Sequence, residues 1–264
     1  MTARDWKDFR APEFLDIDPM RTIAVLPTAA IEQHGPHLPV GTDTIINEGL
    51  LDALKSQCPD DLHLRLIPVQ TVGKSNEHLW AAGTLTLTAE TALKAWVEIG
   101  LSVARAGIRK MLIVNSHGGN TDLISIVARE LRVRAGMYVV RTGWGAYGLP
   151  EGLYGDQERG FGIHGGDVET SLVLHFRPET VDMAAAQDFR SSAETTLIPP
   201  VGPVAYGWIA SDVNPHGVVG EAHLATPDKG AATADKMVTD MIGLLRKIEA
   251  TPLESFAPVN APFT

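Results

Sequence analysis

The feature that most limits what this chain can fold into is the alternation of short apolar runs with longer amphipathic segments. Residues 22–27 (TIAVLP) form a nearly unbroken apolar stretch followed at once by polar residues, the pattern of a strand buried on both faces. Residues 63–69, 110–114 (KMLIV) and 137–140 read as further strands, with helices over 44–56 and 121–134. Over residues 88–106, Leu93, Trp96, Val97, Leu101 and Ala104 recur at helical spacing, and Thr88 stands where a cap belongs. Thr226 and Pro227 supply a cap and a first-turn proline for a last helix that buries Met237, Val238, Met241, Ile242, Leu245 and Ile248. Elements in this order build an α/β fold with a mainly parallel sheet covered on both faces. At 264 residues the chain is expected to form one domain over residues 1–264.

Sheets of this class place their sites beyond the carboxyl ends of the strands, and the polar clusters of the sequence fall there. Glu32 and His34, just after the first strand, are two residues apart, so an extended backbone points both side chains to one side. Asp43 follows a segment containing Pro36, Pro39 and Gly41 that can fold the chain back, and its two oxygens can bridge two cations. His117 leaves the third predicted strand in Asn115-Ser116-His117-Gly118-Gly119-Asn120, where glycines let the backbone crowd a ligand. Glu169 stands in the first turn of a predicted helix, whose dipole favours an anion. Any one of these residues is more often a hydrogen-bonded structural group than a ligand. Their joint placement points to a centre holding Zn, Mn or a similar divalent ion on oxygen and nitrogen donors. With Cys58 as the one cysteine, neither an internal disulfide nor a cysteine-based zinc site can form.

The formal charge of −10, with no Lys/Arg cluster, argues against a nucleic-acid partner. Asp5, Lys7, Asp8, Arg10 and Glu13 stand where a signal peptide needs an apolar core, and no apolar stretch approaches a membrane span of about 18 residues, so a cytoplasmic location is expected. Nine glycines between residues 143 and 166 mark a long functional loop or lid, in which Trp144, Tyr154 and Phe161 either anchor the loop or close over a flat substrate. Gly143-Trp144-Gly145-Ala146-Tyr147-Gly148 fits a dinucleotide fingerprint by spacing, yet Leu149-Pro150 follows where a helix must begin, and the motif lies after the fourth strand rather than the first. Residues 191–220 form a second irregular stretch carrying Tyr206 and Trp208. Neither a G-x-S-x-G elbow nor a phosphate-binding loop occurs. His37 and His78 are expected to hydrogen-bond behind the ligands or to meet another subunit, and His63, His175, His216 and His223 to be structural.

The stretches EQHGPHLPVGTD at 32–43, GKSNEH and GTLTL within 73–87, NSHGGN at 115–120 and HGGDVETS at 164–171 resemble the creatininase (creatinine amidohydrolase) family, with a weaker echo in GVVGEAHLAT at 217–226. The resemblance implies a three-layer α/β/α sandwich, a binuclear metal centre and a homo-oligomer, a hexamer by likeness. Matched residue by residue, Glu32, Asp43 and His117 would hold one ion, and His34, Asp43 and a further carboxylate the other, with Asp43 bridging. Creatininase itself has a glutamate two residues after the matching histidine; here Gly119 stands there, which passes the role to Glu169 and argues against creatinine as substrate. His164 matches the catalytic histidine and is expected to protonate the departing nitrogen, while Glu169, if loosely held, could take the proton from water. The expected chemistry is hydrolysis of the C–N bond of a small cyclic amide or formamide by a hydroxide bridging two ions, zinc or manganese, with iron also suitable. Trimming of a peptide C-terminus is the alternative, followed by ring opening of an oxidised inositol and a non-enzymatic metal-binding role.

Overall fold

In the computed structural model, which describes residues 3–259, five parallel strands form the central sheet: β1 (Ala3–Asp5), β2 (Ile23–Thr28), β3 (Leu64–Leu66), β4 (Lys110–Asn115) and β5 (Tyr138–Gly143). Their order across the sheet is β1-β3-β2-β4-β5. β2 and β4 run side by side from Ile23 opposite Lys110 to Thr28 opposite Asn115, so both strands release their chains at the same edge. Alternate residues of the central strands feed two separate cores. Ile23, Val25, Leu112 and Val114 pack against α1 (Thr42–Gln57), α5 (Asp167–Phe176) and α7 (Pro227–Ala250). Ala24, Leu26, Met111 and Ile113 pack against α2 (Ala89–Arg105) and α3 (Thr121–Ala135). Both faces of the strands are dry, which is why the sequence runs are apolar without alternation. The arrangement is the three-layer sandwich expected.

The caps read from the sequence hold. Thr88 Oγ1 accepts the Thr91 N–H at 3.2 Å at the head of α2, and Thr226 Oγ1 accepts the Lys229 N–H at 3.3 Å ahead of Pro227. Other elements differ. β1 was not anticipated, because Ala3-Arg4-Asp5 carries only one small apolar residue and joins the sheet through backbone pairing with β3. α1 begins at Thr42, so Asp43 sits in a helical first turn rather than in the preceding loop. The glycine-rich stretch 143–166 is not all loop, since α4 (Asp156–Phe161) lies inside it. Between α5 and α7 lie β6 (Asp188–Phe189), α6 (Ala210–Val213) and β7 (Gly220–Glu221), with β6 and β7 pairing antiparallel. Among the described residues no helix is long and apolar enough to cross a membrane.

Candidate metal centre

Three chain segments meet at the carboxyl edge of β2 and β4. Beyond β2 an isolated bridge pairs Ile31 with Leu85, and the Glu32 N–H donates to Val40 O at 2.9 Å, which folds residues 32–40 back toward α1. The start of α1 is tied to the end of β2 and to the residue that follows β4: Asn47 Nδ2 donates to Thr28 O at 3.0 Å and Ser116 Oγ donates to Asp43 O at 2.9 Å. At the exit of β4 two asparagines brace the loop carrying His117. Asn115 Nδ2 donates to His117 O at 2.5 Å, and Asn120 Nδ2 donates to Ala29 O at 3.0 Å while its Oδ1 accepts the Lys74 N–H at 3.0 Å. The third segment pairs His164 with Val219 in an isolated bridge and then opens α5, whose first turn carries Glu169.

These segments bring all five expected ligands together. His34 Nε2 lies 3.7 Å from Asp43 Oδ1 and 3.6 Å from Glu169 Oε2. His117 Nδ1 lies 3.1 Å from Glu32 Oε1 and 3.3 Å from Asp43 Oδ2. Asp43 thus offers one oxygen to each side, as a bridging carboxylate must. His164 Nδ1 lies 3.5 Å from Glu32 Oε1, so Glu32, His34 and His164 also form a group able to hold an ion. Glu77, which the sequence reading passed over although it precedes His78 in the GKSNEH stretch, forms another such group with Glu32 and His117.

The hydrogen bonds behind the ligands assign the imidazoles. His117 Nε2–H donates to Lys74 O at 2.9 Å, His34 Nδ1–H to Glu32 O at 3.1 Å and His164 Nε2–H to Gln33 O at 2.8 Å. His34 Nε2 and His164 Nδ1 are left bare and turned toward the carboxylates, the arrangement of metal-ligating histidines, and His117 turns Nδ1 toward Glu32 and Asp43. Glu32 Oε2 and His34 Nε2 are buried without a hydrogen bond, and Asp43 Oδ2 has only the His117 imidazole beside it, at 3.3 Å. Buried polar atoms left this way are costly unless something else satisfies them. The donors therefore fit divalent cations.

Electrostatics point the same way. Burial, and then the nearby Asp43, push Glu169 up to about 8, against the Gly165 N–H that donates to it at 2.6 Å. Burial and Glu32 raise Asp43 to about 6. Burial raises Glu32 too, but His117 wins and holds it well below the usual carboxylate range. His117 stands well above its ordinary value although burial opposes it, because Glu32 and Asp43 face it. Burial takes His34 down to about 4 against the pull of Glu32, and with the neighbouring His34 it takes His164 to about 3. Three carboxylates cannot share this space ionised without added positive charge.

Two cavities reach the centre, with His117 and Gly118 in the walls of both. The larger, about 500 Å³, is lined by Glu32, Lys74, His78, His164, Tyr206 and Trp208. The smaller, about 230 Å³, is lined by Glu169, Trp144, Ile46, Leu172 and Met237. Of the aromatics weighed for a lid, Trp144 is buried and donates Nε1–H to Asn47 Oδ1 at 3.1 Å. Tyr154 is buried with its hydroxyl 2.7 Å from Thr233 Oγ1. Both anchor the loop, and the mouth of the larger cavity takes its aromatics from residues 206 and 208 instead. His37 and His78 are buried behind the ligands: His37 Nε2 lies 3.1 Å from Gly165 O, and His78 Nδ1 2.9 Å from Gln33 Nε2. His175, His216 and His223 are exposed and His63 is half-buried, all away from the centre. A side chain at Gly119 would run into Glu77, the Lys74 carbonyl and His117 Nε2, while Glu169 offers a carboxylate to the same cluster from α5.

The comparisons with known proteins agree with this geometry. The family model described as creatinine amidohydrolase matches residues 7–245. A mycofactocin precursor peptide peptidase of Mycobacterium ulcerans (strain Agy99) is 32% identical over 234 residues, 84% of each chain. The creatinine amidohydrolase of Pseudomonas putida is 28% identical over 199 residues, 69% of this chain and 74% of the relative. Among solved structures, a putative creatinine amidohydrolase from Bacteroides fragilis NCTC 9343 superposes with a TM-score of 0.76 at 20% identity, covering 96% of this chain and 99% of the other. A manganese form of creatininase does so with a TM-score of 0.75 at 22% identity, covering 94% and 100%. A match over nearly the whole chain, joined to a buried carboxylate–imidazole cluster at the sheet's carboxyl edge, means that the chain belongs to the creatininase family of metal-dependent hydrolases.

Proposed function

We propose that this chain is a binuclear metal-dependent amidohydrolase that cleaves the C–N bond of a linear, peptide-type amide. The observation that carries the reading is the pair of cavities meeting at one centre, about 500 and 230 Å³, with His117 and Gly118 common to both. A linear amide has a substituent on each side of its scissile bond and uses both spaces. A small cyclic amide or formamide, the leading expectation from the sequence, fills only one. The peptidase named among the relatives supports the same preference.

Glu32, Asp43 and His117 would hold one ion, and His34, Asp43 and Glu169 the other. Bound there, the ions supply Lewis acidity toward the substrate carbonyl and a nucleophilic oxygen from water near neutral pH. His164 is neutral at that pH, and Gln33 O fixes its tautomer so that the bare Nδ1 faces the centre. It accepts the proton released on attack and returns it to the departing nitrogen, which cannot leave as an anion. The depressed basicity makes the charged imidazole a ready donor. Tyr206 and Trp208 offer flat apolar surface at the mouth for a substrate side chain.

The test is turnover by protein loaded with zinc or with manganese against short peptides, formamides and small cyclic amides, read by amine release. Peptide cleavage exceeding the others by tenfold or more is the expected result. Turnover of cyclic amides alone overturns the linear reading, and turnover of none overturns the amidohydrolase reading.

A further inference from the structure

Glu158 is one of the most deeply buried acidic side chains outside the centre, at 2% exposure, and it lies within the glycine-rich stretch. Its partners are backbone amides. Oε1 accepts the Val168 N–H at 3.1 Å and Oε2 accepts the Glu221 N–H at 2.8 Å, with the Asp167 N–H also directed at the carboxylate. Asp167 and Val168 are the first two residues of α5, so Glu158 closes that helix's N-terminus from outside it and places its charge where the helix dipole favours an anion. The bond to Glu221 ties the same carboxylate to β7, whose run-in carries the Val219 partner of His164. Three glycines make the site. A Cβ at Gly162, Gly166 or Gly220 would collide with the Glu158 carboxyl group. These glycines belong to the three segments that converge on Glu158: one lies before His164, one between His164 and Glu169, and one opens β7.

We infer that Glu158 is a positioning residue: by gathering the amides of α5 and β7 it sets where His164 and Glu169 stand, and so governs occupancy of the ion that His34, Asp43 and Glu169 share. The side chain touches neither ligand. Its effect runs through the backbone, since Glu169 follows Val168 directly and the Gly165 N–H that donates to Glu169 lies next to Gly166. The carboxylate is suited to this because two oxygens accept from two directions at once; a carboxamide has one acceptor and turns an N–H₂ group toward the other amide. Glu32, Asp43 and His117 come from segments that Glu158 does not touch, so the other ion keeps its ligands.

This inference rests on the binuclear reading above, and titration of the metal-free protein with Co²⁺, followed through visible ligand-field bands and confirmed by mass-spectrometric metal analysis, separates the two. Wild-type protein is expected to take two equivalents. Glu158→Gln should take the first with affinity within about twofold of wild type and the second at least tenfold more weakly, with an altered band shape. Gly162→Ala supplies an independent route, because the nearest atoms its methyl group meets are those of the Glu158 carboxyl group and its φ of −76° suits alanine. It should show the same selective loss, and Glu158→Asp should restore part of the second site. Wild type that binds one ion per chain overturns the binuclear reading and this inference with it. Two ions in wild type, with both variants binding two equally well or losing both in step with thermal stability, overturn the positioning role alone.

Discussion

Removing the metals should leave a protein whose stability falls as pH rises above neutrality, and Glu169 should be a main reason. In the metal-free fold its carboxyl is pushed from an ordinary 4.5 up to about 8, chiefly by burial and by Asp43. A carboxyl raised in this way favours the folded state while protonated, so its contribution is complete below about 4.5 and is lost as pH climbs through about 8. Between about pH 6.5 and about pH 8.5 the loss from this one group amounts to roughly 2 kcal/mol, reduced to about 1–2 because the side chain is 24% exposed. His34 and His164, about 4 and about 3 in the fold, stay neutral there throughout the window, while their unfolded counterparts near 6.5 finish losing protons in its lower part and oppose Glu169. His117, held well above its ordinary value, pulls in the same direction as Glu169, so the comparison must be with a variant. In chelator, differential scanning calorimetry across the window should show wild type losing about 2–6 °C more than Glu169→Gln. Adding zinc or manganese should remove the slope, since the cations replace the protons. A Glu169→Gln variant whose melting temperature falls as much as that of wild type over this range would refute the electrostatic account of the centre.

Asp43→Asn should strip both ions, because Asp43 presents Oδ1 toward His34 and Oδ2 toward His117; metal analysis finding one ion retained at full occupancy would show that it does not bridge. His164→Ala should keep nearly all the metal and lose at least a hundredfold in turnover of whichever amide the wild type hydrolyses, and unchanged turnover would remove it from proton transfer. Gly119→Glu, which restores the acid that creatininase carries at this place, should reduce metal uptake and stability together, since the new side chain meets Glu77 and Lys74 O; a gain in affinity would show that the loop from Gly73 to His78 yields.

Much of this was legible in the sequence, for reasons that can be named. β2 and β4 are buried on both faces, so their composition carries no ambiguity, and the ligands follow those two strands or open a helix. What stayed hidden was set by packing between distant residues. β1 is held by backbone pairing with β3, and its one small apolar residue, Ala3, is too little to announce it. The glycines of 143–166 looked like an absence of structure, whereas Gly162 and Gly166 make room for the Glu158 carboxylate next to a short helix. Trp144 and Tyr154, legible only as loop aromatics, turn inward because Asn47 and Thr233 wait there with hydrogen-bonding partners. Gln33 gave no signal of its own, yet its carbonyl fixes the tautomer of His164 and its side-chain amide donates to Gly217 O at 2.6 Å.

The ligands sit on the rigid frame, while Tyr206 and Trp208 belong to an irregular stretch that adds little to either core. On the function proposed, reactivity and selectivity are thereby housed in separable parts of the chain. Grafting the 196–209 stretch of one relative onto another would redirect which amide is chosen while leaving the means of breaking it untouched, a route by which one scaffold could diversify without relearning its chemistry.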